Sequence, residues 1–116
     1  MTVTTRDGRT LACLEVGDPA GPLVLHNHGG PSSRLEARLF AEVAAKNGLR
    51  LVCVDRPGIG SSTPHQYENV LAFAADMQTM ADVLGVGKMA VVGLSGGGPY
   101  ALACAAAMPD RVIAAG

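Results

Sequence analysis

Two runs of the sequence, residues 49–54 and 89–92, are apolar almost without interruption. A strand with one wet face alternates apolar and polar side chains. A run that does not alternate belongs to a strand covered on both faces, as in a parallel sheet with helices packed on each side. Segments with helical spacing precede and follow these runs. The pattern therefore predicts an α/β architecture with a mostly parallel sheet and right-handed crossovers.

The remaining segments fill in that plan. Residues 2–6 and 10–16 are short alternating stretches around Asp7-Gly8, a two-residue hairpin signal. Residues 23–28 form the next strand. Ser33 with Glu36 three positions on makes a capping box for a helix reaching about Lys46, whose core face is Leu35, Leu39, Phe40 and Val43. Asn47-Gly48 ends it. A loop spans residues 55–68. Asn69 caps a second helix with Val70, Phe73, Ala74, Met77, Ala81 and Leu84 on one face, a stripe read as core and not as a cofactor box. A third helix covers residues 96–108, and residues 111–115 open a further strand. Residues 1–116 read as one continuous unit, part of a single domain.

Composition narrows the function classes. Hydrophobic residues make up 48% of the chain and charged ones 16%, which places it among globular proteins. The net charge of -1, with both signs scattered, provides no footprint for nucleic acid or an anionic membrane. Cys13, Cys53 and Cys104 lie in apolar runs without metal-ligand spacing and read as buried reduced thiols, hence a cytoplasmic location. The polar first eight residues contain no signal-peptide core, and no apolar stretch is long enough to span a bilayer.

In open α/β sheets reactive groups collect at the carboxyl ends of strands. Three such ends stand out: His26-Asn27-His28-Gly29-Gly30-Pro31, Asp55-Arg56-Pro57-Gly58-Ile59-Gly60, and Gly93-Leu94-Ser95-Gly96-Gly97. The last carries the sharpest chemistry. A serine between strand and helix must adopt a strained backbone to hold its Oγ clear of both elements, and the residues two before and two after it pass so closely that glycine is required. The helix opening at Gly96 points free N–H groups at the same place, which favours an oxyanion beside Ser95.

Competing readings of these residues are weaker. Gly96, Gly98 and Ala101 fit a G-x-G-x-x-A dinucleotide pattern, but Gly116 stands where the ribose-binding acid belongs. No Gly-Lys-Ser/Thr follows the glycines, so a P-loop is excluded. His26 and His28 lack a third metal ligand with suitable spacing. No metal or organic cofactor is implied.

These motifs together resemble the α/β-hydrolase superfamily along the whole chain, with the tail Met108-Pro109-Asp110-Arg111-Val112 similar to its link from elbow helix to next strand. The His28-Gly29-Gly30-Pro31 form is similar to that of proline iminopeptidases and haloperoxidase-like esterases. The resemblance implies the N-terminal part of that fold: a hairpin, then a mostly parallel sheet with helices on both faces, incomplete after the sixth strand. It also implies Ser95 as nucleophile, with the Gly30 and Gly96 N–H groups as the oxyanion hole. Pro31 has no N–H, which leaves Gly30 as the nearest donor on its loop. Serine at this position argues against the dehalogenase and epoxide-hydrolase branches, whose nucleophile is an aspartate.

The other polar residues read as structure. His26, His28 and His65 precede the nucleophile, whereas the family order is serine, acid, histidine. His28 is expected to fix the oxyanion loop, His26 to be satisfied at a strand end, and His65 to be solvated. Asp55 is expected to tie down the loop that follows it, with a role as triad acid the lesser reading. Ser32, Ser33, Ser61 and Ser62 have no base in view. No histidine follows Ser95, and Asp110 sits at the wrong end of the sheet. The acid and histidine are therefore expected outside these residues, in the remainder of the domain. The expected function is cleavage of a small-molecule ester or amide through an acyl-enzyme on Ser95. The alternatives are an inactive ligand-binding member of the fold and an acyltransferase.

Overall fold

The computed structural model describes residues 1–116 as one six-stranded sheet with helices on both faces. The strands are β1 (Thr2–Thr4), β2 (Thr10–Gly17), β3 (Leu23–Asn27), β4 (Arg50–Val54), β5 (Met89–Gly93) and β6 (Val112–Ala115). The helices are α1 (Ala41–Lys46), α2 (Val70–Val83) and α3 (Gly98–Ala107). The spatial order is β1-β2-β4-β3-β5-β6; β1 and β2 run antiparallel to their neighbours and the other four are mutually parallel.

The apolar runs behave as strands packed on two sides. On β4, Val52 and Val54 face the larger core, with Phe73, Met77 and Met80 of α2 and Ala101 and Cys104 of α3. Leu51 and Cys53 face a smaller core on the opposite side, with Ala37 and Ala44. The alternation of faces along one strand explains why no polar position interrupts the run. Asn69 Oδ1 accepts the Ala72 N–H at 3.1 Å and caps α2 as expected. Gly48 and Gly85, at φ 63° and 71°, end α1 and α2 in the left-handed conformation that glycine tolerates. All three cysteines are free and buried. Burial pushes the Cys13 thiol up to about 11 and those of Cys53 and Cys104 up to about 12, so none is poised as a thiolate. No helix is long and apolar enough to cross a membrane.

Three local expectations are corrected. The first hairpin does not turn on two residues: β1 ends at Thr4, and Thr5–Arg9 form a wider loop closed by the Thr5 N–H to Arg9 carbonyl bond at 2.9 Å. Second, the segment after Ser33 is a 3₁₀ helix over Arg34–Phe40, followed by the short α1. A 3₁₀ helix turns 120° per residue, not 100°, so the inward face changes. Leu35, Leu39 and Val43 are exposed, while Glu36, Ala37 and Ala44 are buried and Phe40 half-buried. Third, the capping box is half made. Ser33 Oγ accepts the Leu35 N–H at 3.2 Å, but the Glu36 carboxylate turns inward.

Candidate active site

The carboxyl ends of β3, β4 and β5 lie side by side, with β3 between the other two. They deliver the three motifs to one edge of the sheet.

At the end of β5, Ser95 has φ 49°, and every other residue with positive φ is a glycine. Left-handed backbone costs a side-chain-bearing residue roughly 1–2 kcal/mol. The surrounding glycines make that conformation attainable. A Cβ on Gly93 would stand 2.6 Å from the Gly97 carbonyl carbon, and one on Gly97 would stand 2.7 Å from the His28 carbonyl oxygen. Residues 95–97 form a single 3₁₀ turn before α3, and the side chain of Ser95 is exposed at the rim.

The β3 loop closes over this turn. A Cβ built on Gly29 would lie 3.8 Å from Ser95 Cβ, and one on Gly96 would lie 3.6 Å from the Gly30 nitrogen. The Ser95-Gly96 turn therefore lies against the Gly29-Gly30 segment of the β3 loop. The Gly30-Pro31 peptide is cis.

None of the three imidazoles makes a hydrogen bond to Ser95. His28 is fully buried. Its Nε2 accepts the Arg56 N–H at 3.3 Å, so the proton sits on Nδ1, which donates to the Gly29 carbonyl at 2.7 Å. Burial holds the His28 pKa below the ordinary 6.5. His26 packs against Phe40, which borders the smaller core, with ring centroids 5.0 Å apart. Its Nε2 is 2.6 Å from Glu36 Oε2. Exposed His65 meets Tyr67 edge-on, its ring centroid 4.9 Å away.

At the end of β4, Asp55 is completely buried and ties down its loop. Its carboxylate accepts the Arg34 N–H at 2.6 Å and the Ser61 N–H at 3.1 Å, and it pairs with the Arg34 guanidinium. Ser62 Oγ donates to the Asp55 carbonyl at 2.6 Å and accepts the Ala12 N–H at 2.9 Å. Arg56 reaches back so that Nη1 donates to the His28 carbonyl at 2.5 Å, and its guanidinium lies over the Tyr100 ring, 4.5 Å from the centroid.

Sequence reasoning missed the inward role of Glu36. Its two carboxylate oxygens lie 3.2 and 3.4 Å from the Gly29 nitrogen, while Oε2 takes the His26 contact. Burial opposes its charge, yet the His26 and Gly29 hydrogen bonds outweigh burial and hold its pKa below the ordinary carboxylate value. Ser33-x-x-Glu36 is indistinguishable from a capping box in sequence. Nothing local marks this glutamate as buried.

Comparison with known proteins follows the same lines. A family model described as alpha/beta hydrolase fold matches residues 22–115. A proline iminopeptidase from Neisseria meningitidis is 34% identical over 103 residues, covering 84% of this chain and 32% of the relative. A Vigna radiata epoxide hydrolase mutant superposes with a TM-score of 0.83 at 26% identity, over 99% of this chain and 36% of that one. A thermophilic esterase from Thermogutta terrifontis gives 0.82 at 30% identity, over 99% and 43%. The chain spans about a third of the length of the proline iminopeptidases it matches, and less of the epoxide hydrolases.

Proposed function

The chain belongs to the alpha/beta hydrolase family, and on that premise we propose that it supplies the nucleophile and oxyanion hole of a serine hydrolase acting on a small-molecule ester or amide. The observation that carries this reading is the positive φ of Ser95, a strained and exposed serine whose turn packs against the Gly29-Gly30 loop.

In this reaction Ser95 Oγ attacks the acyl carbon while a base removes the hydroxyl proton. The carbonyl oxygen takes up the displaced electron pair and is held by the Gly30 and Gly96 N–H groups. Collapse expels an alcohol or amine, which leaves with the proton held by the base. Water then repeats the sequence and frees the acid. An oxyanion donor of this kind is worth roughly 3–4 kcal/mol in the transition state. His26 and His28 are hydrogen-bonded to other partners and His65 makes no hydrogen bond to Ser95; in this reading the base and its orienting acid are supplied by sequence outside residues 1–116. The buried thiols suit a reducing compartment, and the proposed location is the cytoplasm.

Likeness extends to both iminopeptidases and epoxide hydrolases. An alcohol at the elbow favours acyl transfer over epoxide opening, which in the reading above uses a carboxylate at that position.

Treatment of the native full-length protein with a fluorophosphonate is expected to modify Ser95 and to stop cleavage of an activated acyl ester. Ser95→Ala is expected to abolish both. Turnover that survives this substitution would place the nucleophile elsewhere. A fully folded protein with neither labelling nor turnover would point to a ligand-binding member of the fold.

A further inference from the structure

Glu36 is a carboxylate buried on the inner side of a short 3₁₀ helix, one position from Ala37 in the smaller core. Burying such a group is costly unless its lone pairs are used. Here they are used by two partners from β3 and its loop. His26 Nε2–H donates to Oε2 at 2.6 Å, and the Gly29 N–H reaches the two oxygens at 3.2 and 3.4 Å. Phe40, from the same helix, packs on the His26 ring and limits its rotation.

These contacts divide the consecutive amides of the β3 loop. The Gly29 N–H is drawn into the protein toward Glu36. Gly30 remains exposed at the rim, with its nitrogen beside Gly96. The His28 ring holds the Gly29 carbonyl at 2.7 Å. The peptide units on both sides of Gly29 are therefore anchored, and the direction of the Gly30 N–H follows from them.

We propose that Glu36, oriented by His26, is a positioning residue that fixes the Gly30 N–H toward the oxygen developing charge at Ser95. It touches neither substrate nor nucleophile and acts through the Gly29 amide. The inference rests on the serine-hydrolase reading.

The test compares Glu36→Asp, Glu36→Gln and Glu36→Leu in the native full-length protein, by fluorophosphonate labelling and by steady-state ester cleavage. Aspartate keeps the charge but is one methylene too short to reach both partners. Glutamine keeps the reach and an acceptor oxygen for the Gly29 N–H, and its NH2 is met by His26 in the Nδ1–H tautomer, in which Nε2 accepts. Aspartate and leucine are expected to lower kcat by about tenfold to a hundredfold with KM within about twofold, as for a donor displaced by about 1 Å. Glutamine is expected to restore most of kcat. If the leucine variant does not fold, the contrast between aspartate and glutamine decides. A folded aspartate variant with wild-type kcat, or a loss confined to KM, overturns the proposal. So does a kcat that simply follows melting temperature across the variants. Wild-type protein that labels at Ser95 keeps the hydrolase reading intact in those cases. Wild-type protein that fails to label removes both.

Discussion

Gly93 and Gly97 pass so close that a Cβ on the first would lie 2.6 Å from the carbonyl carbon of the second, with Ser95 held between them at φ 49°. The contact is backbone against backbone, so no side chain can yield. Gly93→Ala is expected to destabilise the protein by about 3 kcal/mol, at the upper end of overpacking costs. Gly87→Ala, where an added Cβ meets nothing within 4 Å and φ is not positive, is expected to raise stability by about 0.5 kcal/mol through the unfolded chain. Denaturant midpoints of the two variants check the contrast, and equal effects would mean that the elbow is looser than described.

Ser95 stores part of this strain itself. Glycine at the same position removes the left-handed penalty but adds unfolded-state entropy. Ser95→Gly is therefore expected to be more stable than Ser95→Ala by about 1 kcal/mol, while both fail to react with a fluorophosphonate. Identical stability of the two would show that the turn costs nothing.

The elbow and the doubly covered strands were legible because their signals are local. A glycine two residues on either side of a serine, and an apolar run without alternation, each report on their own backbone. Glu36 and Asp76 were not legible for the opposite reason. Glu36 meets His26 ten positions back on another element. Asp76 sits within the apolar stripe of α2, where Arg9 holds it at 2.9 and 3.0 Å from the first hairpin. Only the fold brings such partners together. The stripe Leu35, Leu39 and Val43 misled for a third reason, since its spacing suits one continuous α-helix and the chain makes a 3₁₀ helix over the first two and the separate short α1 over the third.

Asp55 combines complete burial with three anchored partners, two backbone amides and the Arg34 guanidinium. Removing one member of a buried pair costs about 3–5 kcal/mol, and Arg34 keeps 28% of its side-chain exposure, which softens the loss. Asp55→Ala is expected to cost about 3 kcal/mol. Glu42→Ala breaks the exposed pair with Lys46 and is expected to change stability by less than about 0.5 kcal/mol. Chemical denaturation of both variants separates a loop anchor from a surface contact.

Acid is expected to weaken the protein in two stages, because two buried groups beside the β3 loop have lowered pKa values. His28 is held below its ordinary 6.5 by burial, which disfavours the imidazolium. Glu36 is held below its ordinary 4.5, since the His26 and Gly29 hydrogen bonds outweigh the effect of burial. In each case the unfolded chain binds its proton at a higher pH than the folded one, so stability rises with pH across that window. The His28 contribution is complete above about pH 6.5 and is lost as pH falls through its lower folded value. The Glu36 contribution follows the same course below about 4.5. Urea midpoints measured from pH 8 down to pH 4 are expected to begin falling near 6.5 and to fall again below 4.5. Ring nitrogen shifts of His28 provide the residue-specific check: a neutral Nδ1–H tautomer at pH 6.5 is expected, and an imidazolium at that pH would contradict the buried hydrogen bond from Arg56 N–H to Nε2.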